Sequence, residues 1–319
     1  MKYSKPYLPI PNQRQLLESR GMVIPDAAKC EEYLQRIGYY RLSAYWFPFR
    51  QLGQKEDGTF FLRNEFKLGT TFKHATDLYA FDKGLRLIIL DAIERIEISV
   101  RTEVALALGA IAPLAHRDTR NFNNRFSQFA PPKTQSRYQE WLQKLDEKAA
   151  YSKEEFAEHF RTKYAGEFMP IWIAVELLDF SPLSISLSQL KHAEQQKISA
   201  SYGNISFRLI QSWIQALCNV RNICAHHARL WNKPLVNQPA IPRAGEAPSL
   251  DHLGGTPDTN KRIYAALAVM RLLLKEINPR TKWAERLKKH VGTFPHEAPN
   301  ISLSDAGFPD NWDELPLWK

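Results

Sequence analysis

The sequence predicts a mainly α protein, a helical bundle preceded by a small N-terminal helical unit. Two observations carry this. Apolar residues recur at steps of three and four over long stretches, most clearly from Asp77 to Gly109. Strand signals are confined to 51–73, where Phe- and Thr-rich runs flank the turn residues Glu56-Asp57-Gly58, and a short β-hairpin fits there. The 319 residues are 44% apolar and 24% charged, which suits one large domain or a main domain with an appendage and excludes a disordered chain. The division falls at 73. Residues 1–73 form the N-terminal unit, and 74–319 form the main helical domain with a basic insertion at 113–137 and a docking tail.

Taken in order, a first helix spans NQRQLLESR and stops at Gly21. A second follows Pro25, with Asp26 as N-cap, and ends at Gly38. The stretch YYRLSAYWFPFR at 39–50 is basic and aromatic, and its helical spacing favours packing into the core. From 77 to 109 the stripe Leu78, Phe81, Leu85, Ile89, Ala92, Ile96, Val100, Val104 and Leu108 predicts a helix on the order of 45 Å long. Pro113 ends it. Helices are expected at 138–150, 153–164, 170–179, 187–200 and 206–229. A Pro/Gly-rich loop then covers 231–258, and two further helices fit 260–276 and 280–290. In the tail, Trp312, Leu315 and Trp318 are spaced to dock on an apolar surface.

Lys plus Arg is 43 against 34 Asp plus Glu, a net charge of +9 that favours a polyanionic partner. Three cysteines without a C-x-x-C pair point to a reducing compartment and away from a zinc ribbon. The longest uncharged apolar stretch, Val104 to Ala115, is too short to span a membrane, and the N-terminus lacks the features of a signal peptide. A cytoplasmic protein is expected, with no metal-ligand spacing and no cofactor motif.

The helix at 206–229 carries the informative residues. Its apolar stripe, Leu209, Ile210, Trp213, Ile214, Leu217, then Cys224 and Ala225, passes through Arg221. An arginine there needs an anionic partner, either an internal glutamate, for which Glu176 in IWIAVELL is the natural choice, or a ligand. The segment continues as VRNICAHHARLWN, so Asn222 and His226 share a face and His227 follows. A cation, an amide and an imidazole on one strip suit RNA cleavage by the ribose 2′-OH. An imidazole serves as base or acid, and the guanidinium holds the charge that develops on phosphorus. The structural alternatives are a helix-capping role for either histidine and a plain surface role for Asn222. Elsewhere, Glu97 and Arg101 read as a surface i,i+4 pair. The insertion offers Arg117, Arg120, Arg125, Lys133 and Arg137 among Phe122, Phe126 and Phe129, either as RNA contacts or as a solvated loop whose rings tuck inward.

The string RNICAHHARLWN resembles the signature of the Abi-type (abortive infection) proteins, a bacterial family with a HEPN-like domain. Arg221, Asn222 and His226 resemble the R-x-x-x-x-H motif of HEPN ribonucleases. YYRLSAYWFPFR, IERIEISVRTEVA, IWIAVELLDFSPLS and GFPDNWDELPLW resemble further stretches of the family in the same order, so the resemblance covers almost the whole chain. One departure is Ser181-Pro182, where the family usually shows Phe-Gly-Thr-Leu-Ser. The resemblance implies a HEPN-like helical bundle whose motif helices pair across a dyad. With one motif per chain, it implies a homodimer with a composite site. It further implies a phage-defence or toxin–antitoxin role, restrained in some members by a small structured RNA. The expected activity is therefore a metal-independent endoribonuclease. Arg221 would hold the phosphate, His226 would act as acid or base, Asn222 would orient either, and His227 would support them. The alternative is a non-catalytic RNA-binding protein on the same fold.

Overall fold

The computed structural model describes residues 6–129, 132, 134–255 and 258–319. The N-terminal unit comprises α1 (Ile10–Ser19), α2 (Ala27–Ile37), α3 (Tyr39–Trp46) and the antiparallel hairpin β1 (Arg50–Gln54) and β2 (Phe60–Phe66). Asp26 caps α2 by accepting the Lys29 N–H at 2.9 Å, as its position predicts. Gly38 separates α2 from α3 at φ +92°, a left-handed conformation that only glycine adopts without strain. The hairpin pairs Leu52 with Leu62 and carries an irregularity between Arg50 and Leu52.

The axis of the molecule is α4 (Phe72–Gly109), 38 residues long. It starts five residues before the periodic stripe suggests. Thr71 accepts the His74 N–H while His74 Nδ1 accepts the Thr71 N–H, a reciprocal cap that satisfies two otherwise orphaned donors. The insertion contains α5 (Asn124–Ser127), and after it come α6 (Arg137–Tyr151), α7 (Glu155–Lys163) and the single turn α8 (Ile171–Ala174). The helix expected over 170–179 is thus cut to α8 and a 3₁₀ turn, Val175–Leu177.

The helix expected over 187–200 starts later, as α10 (His192–Ser201), and a separate helix not expected from the sequence, α9 (Phe180–Gln189), precedes it. The break is tertiary in origin. The Gln189 carbonyl accepts the Asn123 N–H at 2.7 Å and Leu190 pairs with Phe122, so the chain there leaves its helix to hold the insertion. The bundle closes with α11 (Phe207–Ala225), α12 (Ile263–Ile277) and α13 (Trp283–Val291). Helices α3, α9, α11, α12 and α13 all pack on α4.

Among the described residues one apolar core runs from Leu17 to Trp318, and the N-terminal unit contributes Leu17 to Phe72 to it. Leu42, Tyr45, Trp46 and Phe49 are buried in it, the core role predicted for YYRLSAYWFPFR. The tail docks as its spacing predicts. Trp312 and Trp318 meet edge to face at 5.0 Å, and Trp318 stacks on Trp283 at 6.4 Å. Cys30, Cys218 and Cys224 are buried and unpaired. Burial pushes the Cys218 thiol up to about 11 and Cys30 and Cys224 up to about 12, which leaves them unreactive. Among the described residues no helix is long and apolar enough to cross a membrane.

Gly84 sits inside α4 for a packing reason. His290 of α13 stacks on Phe81 at 4.9 Å, and its Nε2 donates to the Phe81 carbonyl at 2.8 Å. A Cβ on residue 84 would lie 3.0 Å from that Nε2 and closer still to Cε1. Gly84→Ala should therefore destabilise the protein by about 1–3 kcal/mol in urea unfolding despite the better helix propensity of alanine. The cost should shrink in a His290→Ala background. Equal costs in both backgrounds would show that the imidazole is not the obstacle.

Candidate functional site

Helix α11 turns Trp213, Leu217, Val220 and Cys224 into the core. The buried stripe therefore passes through Val220, not Arg221, and Ala225 is exposed. Arg221 lies half-buried at its edge, where a charged head reaches water while the stem covers apolar surface. No carboxylate pairs with it within 4 Å among the described residues; its Nη1 donates to Asn222 Oδ1 at 3.5 Å. Glu176 is not its partner. That carboxylate faces Arg101 at 3.8 Å, and Arg101 also meets Glu97 at 3.2 Å and the Leu178 carbonyl at 2.9 Å. Glu97 and Arg101 are only 15% and 16% exposed, so they form a half-buried pair and not a surface one. Burial pushes the Glu97 carboxyl up against the opposing pull of Arg101 and Arg221. The free guanidinium of Arg221 thus lies in the field of Glu97 without bonding to it.

The helix stops at Ala225, four residues before its expected end, and His226 is its C-cap. The stop has a specific geometry. The Ala228 N–H bonds to the Ile223 carbonyl at 3.0 Å and the His227 N–H bonds to the Cys224 carbonyl at 3.0 Å. These are the two bonds of a Schellman closure, which needs a left-handed residue between them. Here that residue is His227, at φ +55°. Glycine is the usual occupant, and a side chain there costs about 1–2 kcal/mol. Arg41 of α3 donates to the His227 carbonyl at 2.6 Å. His226, His227 and Asn222 are all exposed.

Downstream, the chain is fixed by a buried carboxylate. Asp82 of α4 accepts the Trp231 N–H at 2.7 Å, the Leu230 N–H at 3.2 Å and the Tyr45 hydroxyl at 2.7 Å. It also pairs with Arg86, one turn along the same helix. Arg86 donates to the Ala228 carbonyl at 3.3 Å, and Arg229 donates to the Ala44 carbonyl at 2.7 Å. Burial pushes the Tyr45 phenol up, and the neighbouring Asp82 charge adds to the shift. Asp82, Arg86 and Arg41 were not singled out from the sequence. The signal for the first two was present: an acid and a base four apart interrupt the apolar stripe between Leu78 and Ile89.

The insertion residues have different surroundings. Arg117 is held by Asp146 at 2.6 and 3.0 Å and lies 3.5 Å over the Phe168 ring. Arg120 is exposed and bonds to Asp118 at 2.7 Å. Arg125 and Arg137 are exposed, and Lys133 lies outside the described residues. Phe122 and Phe126 are buried against Tyr138 and Trp141, whereas Phe129 is exposed. Beneath them, burial drives His116 down to about 4.

A family model for Abi-like proteins matches residues 32–232, which runs from within α2 through α11 and ends just past the motif. The chain belongs to the Abi-like protein family. Searches of curated proteins and of solved structures found no match.

If His227 serves only as the left-handed cap, His227→Gly should be neutral to about 1 kcal/mol stabilising in thermal unfolding. A loss larger than about 1 kcal/mol would show that the imidazole itself holds the turn.

Proposed function

We propose that this Abi-like chain is a metal-independent endoribonuclease of a bacterial phage-defence or toxin–antitoxin system. It acts in the cytoplasm as a homodimer of HEPN-type half-sites. The observation that carries the reading is the exposed end of α11. There an unpaired Arg221, Asn222 and His226 project from a backbone fixed on both sides of the turn. Membership of the Abi-like family supports the defence role.

In this reading Arg221 binds the scissile phosphate. An imidazole takes the proton of the 2′-OH as the new O–P bond forms, and a second imidazole protonates the departing 5′-oxygen as its P–O bond breaks. The guanidinium offsets the charge that builds on the phosphorane. Asn222, whose carbonyl oxygen already meets Arg221, orients the guanidinium or the phosphate. Each chain supplies one capping imidazole, so base and acid come from the two His226 residues of a dimer, and His227 supports them. The RNA is the substrate, and a small structured RNA is the expected restraint.

Cleavage of single-stranded RNA should survive EDTA and leave 2′,3′-cyclic phosphate ends. His226→Ala should lower the rate by about 10²–10⁴-fold, with RNA affinity retained. Magnesium-dependent cleavage would overturn the mechanism, and RNA binding without His226-dependent cleavage would favour a non-catalytic RNA-binding protein. Mixing His226→Ala subunits with wild type should lower activity more than dilution does, because a mixed dimer lacks either base or acid. A linear titration would show that one chain suffices.

A further inference from the structure

Alongside the motif, α9 and α11 enclose a trough of about 440 Å³, within the usual range for small-molecule sites. Its two walls are polar stripes at helical spacing. Ser181, Ser184 and Ser188 line one wall from α9, and Gln211, Gln215 and Asn219 line the other from α11. The α11 stripe ends on Asn222, so the trough leads along about 16 Å of helix to the residue beside Arg221. Arg137 stands at the point where the trough meets a larger charged cleft, and among the described residues it is the one charged side chain of the lining.

The hydrogen-bonding capacity of the α11 wall is largely unspent, whereas on the α9 wall Ser188 donates to the Ile185 carbonyl at 2.7 Å and accepts from Gln189 at 2.9 Å. The buried Oδ1 of Asn219 accepts no hydrogen bond from the protein. Among the described residues the amides of Gln211 and Gln215 bond to no protein group. A buried acceptor without a partner is costly, and the unbonded amides beside it are open to a ligand that answers them.

We propose that this trough is a base-reading subsite, which takes the unpaired bases that flank the scissile phosphate of single-stranded RNA. The proposal rests on the ribonuclease reading above. A neutral lining that both donates and accepts matches a base edge, which Asn and Gln meet with two hydrogen bonds, and serine hydroxyls match ribose 2′-OH groups. Arg137 supplies a phosphate contact where the trough opens into the charged cleft. Among the described residues the lining holds no aromatic ring. Binding by stacking, which tolerates any base, is therefore not the design, and the trough should distinguish bases.

The test uses full-length His226→Ala protein and short homopolymeric RNAs of A, C, G and U, with affinity read by fluorescence anisotropy at fixed salt. One base should bind about tenfold tighter than the poorest. Gln215→Ala, at an exposed position, and Gln215→Met with Asn219→Leu should each reduce that preference. Arg137→Ala should weaken all four RNAs alike and flatten the salt dependence. Equal affinities for the four RNAs, or a preference untouched by either trough variant, would overturn the subsite. If the otherwise wild-type protein still cleaves RNA in a His226-dependent way, only the subsite falls. If no RNA is bound or cut, both readings fall together. A trough variant that turns a dimer into a monomer by light scattering would overturn the subsite in favour of a protein interface.

Discussion

The buried carboxylate of Asp82 is the constraint on which the arrangement depends. It is fully enclosed, and its oxygens take the Tyr45 hydroxyl, the Arg86 guanidinium and two successive backbone N–H groups, Leu230 and Trp231. Three separate parts of the chain meet there: α3, the long helix α4, and the strand of backbone that follows α11. Burying an ion pair gains little stability in itself, since desolvation offsets most of the attraction. Removing one partner is another matter, typically costing about 3–5 kcal/mol because a bare charge is left behind. The pair therefore acts as a specifier. A segment that leaves a helix inside the protein needs partners for its amides, and only one placement of residues 228–231 gives them one.

That placement decides what the end of α11 presents. With residues 230 and 231 fixed by Asp82, and the His227 carbonyl fixed by Arg41, the chain must reverse within two residues of Ala225. The reversal puts a histidine into the left-handed region and leaves both imidazoles in solvent. Backbone strain of this kind persists where surrounding contacts over-determine it, and it clusters at sites of function. Arg221, a turn earlier, is half-buried and unpaired beside the Glu97–Arg101 pair. An arginine and an exposed histidine are thus set on one rigid helix end while the chain beyond is clamped.

The long stripe of α4, the Asp26 cap and the docking of Trp312 and Trp318 were legible because each depends on local spacing or on bulk apolar area. Helix ends set by tertiary bonds were not. Nothing in NICAHHARL, which has neither Gly nor Pro, announces a stop at Ala225; the stop comes from α3 and α4. The break at Leu190 likewise comes from Asn123, some 67 residues away. The sequence places Arg221 on the buried stripe because it sits one residue from the true member, Val220, and a 100° step does not resolve an edge from a centre. Phe122 and Phe126 carry no sign in the sequence of whether they face water or the Tyr138–Trp141 pair. Asp82 and Arg86 were visible as charges inside an apolar stripe, but their ligand is backbone, which no side-chain pattern reveals.

The most direct test is amide hydrogen exchange of Asp82→Asn, measured together with the rate of the RNA cleavage proposed for the protein. The variant leaves Arg221, Asn222 and His226 in place and removes only the buried charge. Exchange should rise sharply at Leu230 and Trp231 while amides of α12 stay protected, and cleavage should fall with it. Cleavage at the wild-type rate from a protein whose residues 228–231 exchange freely would contradict the account, because the site would then not depend on the clamp.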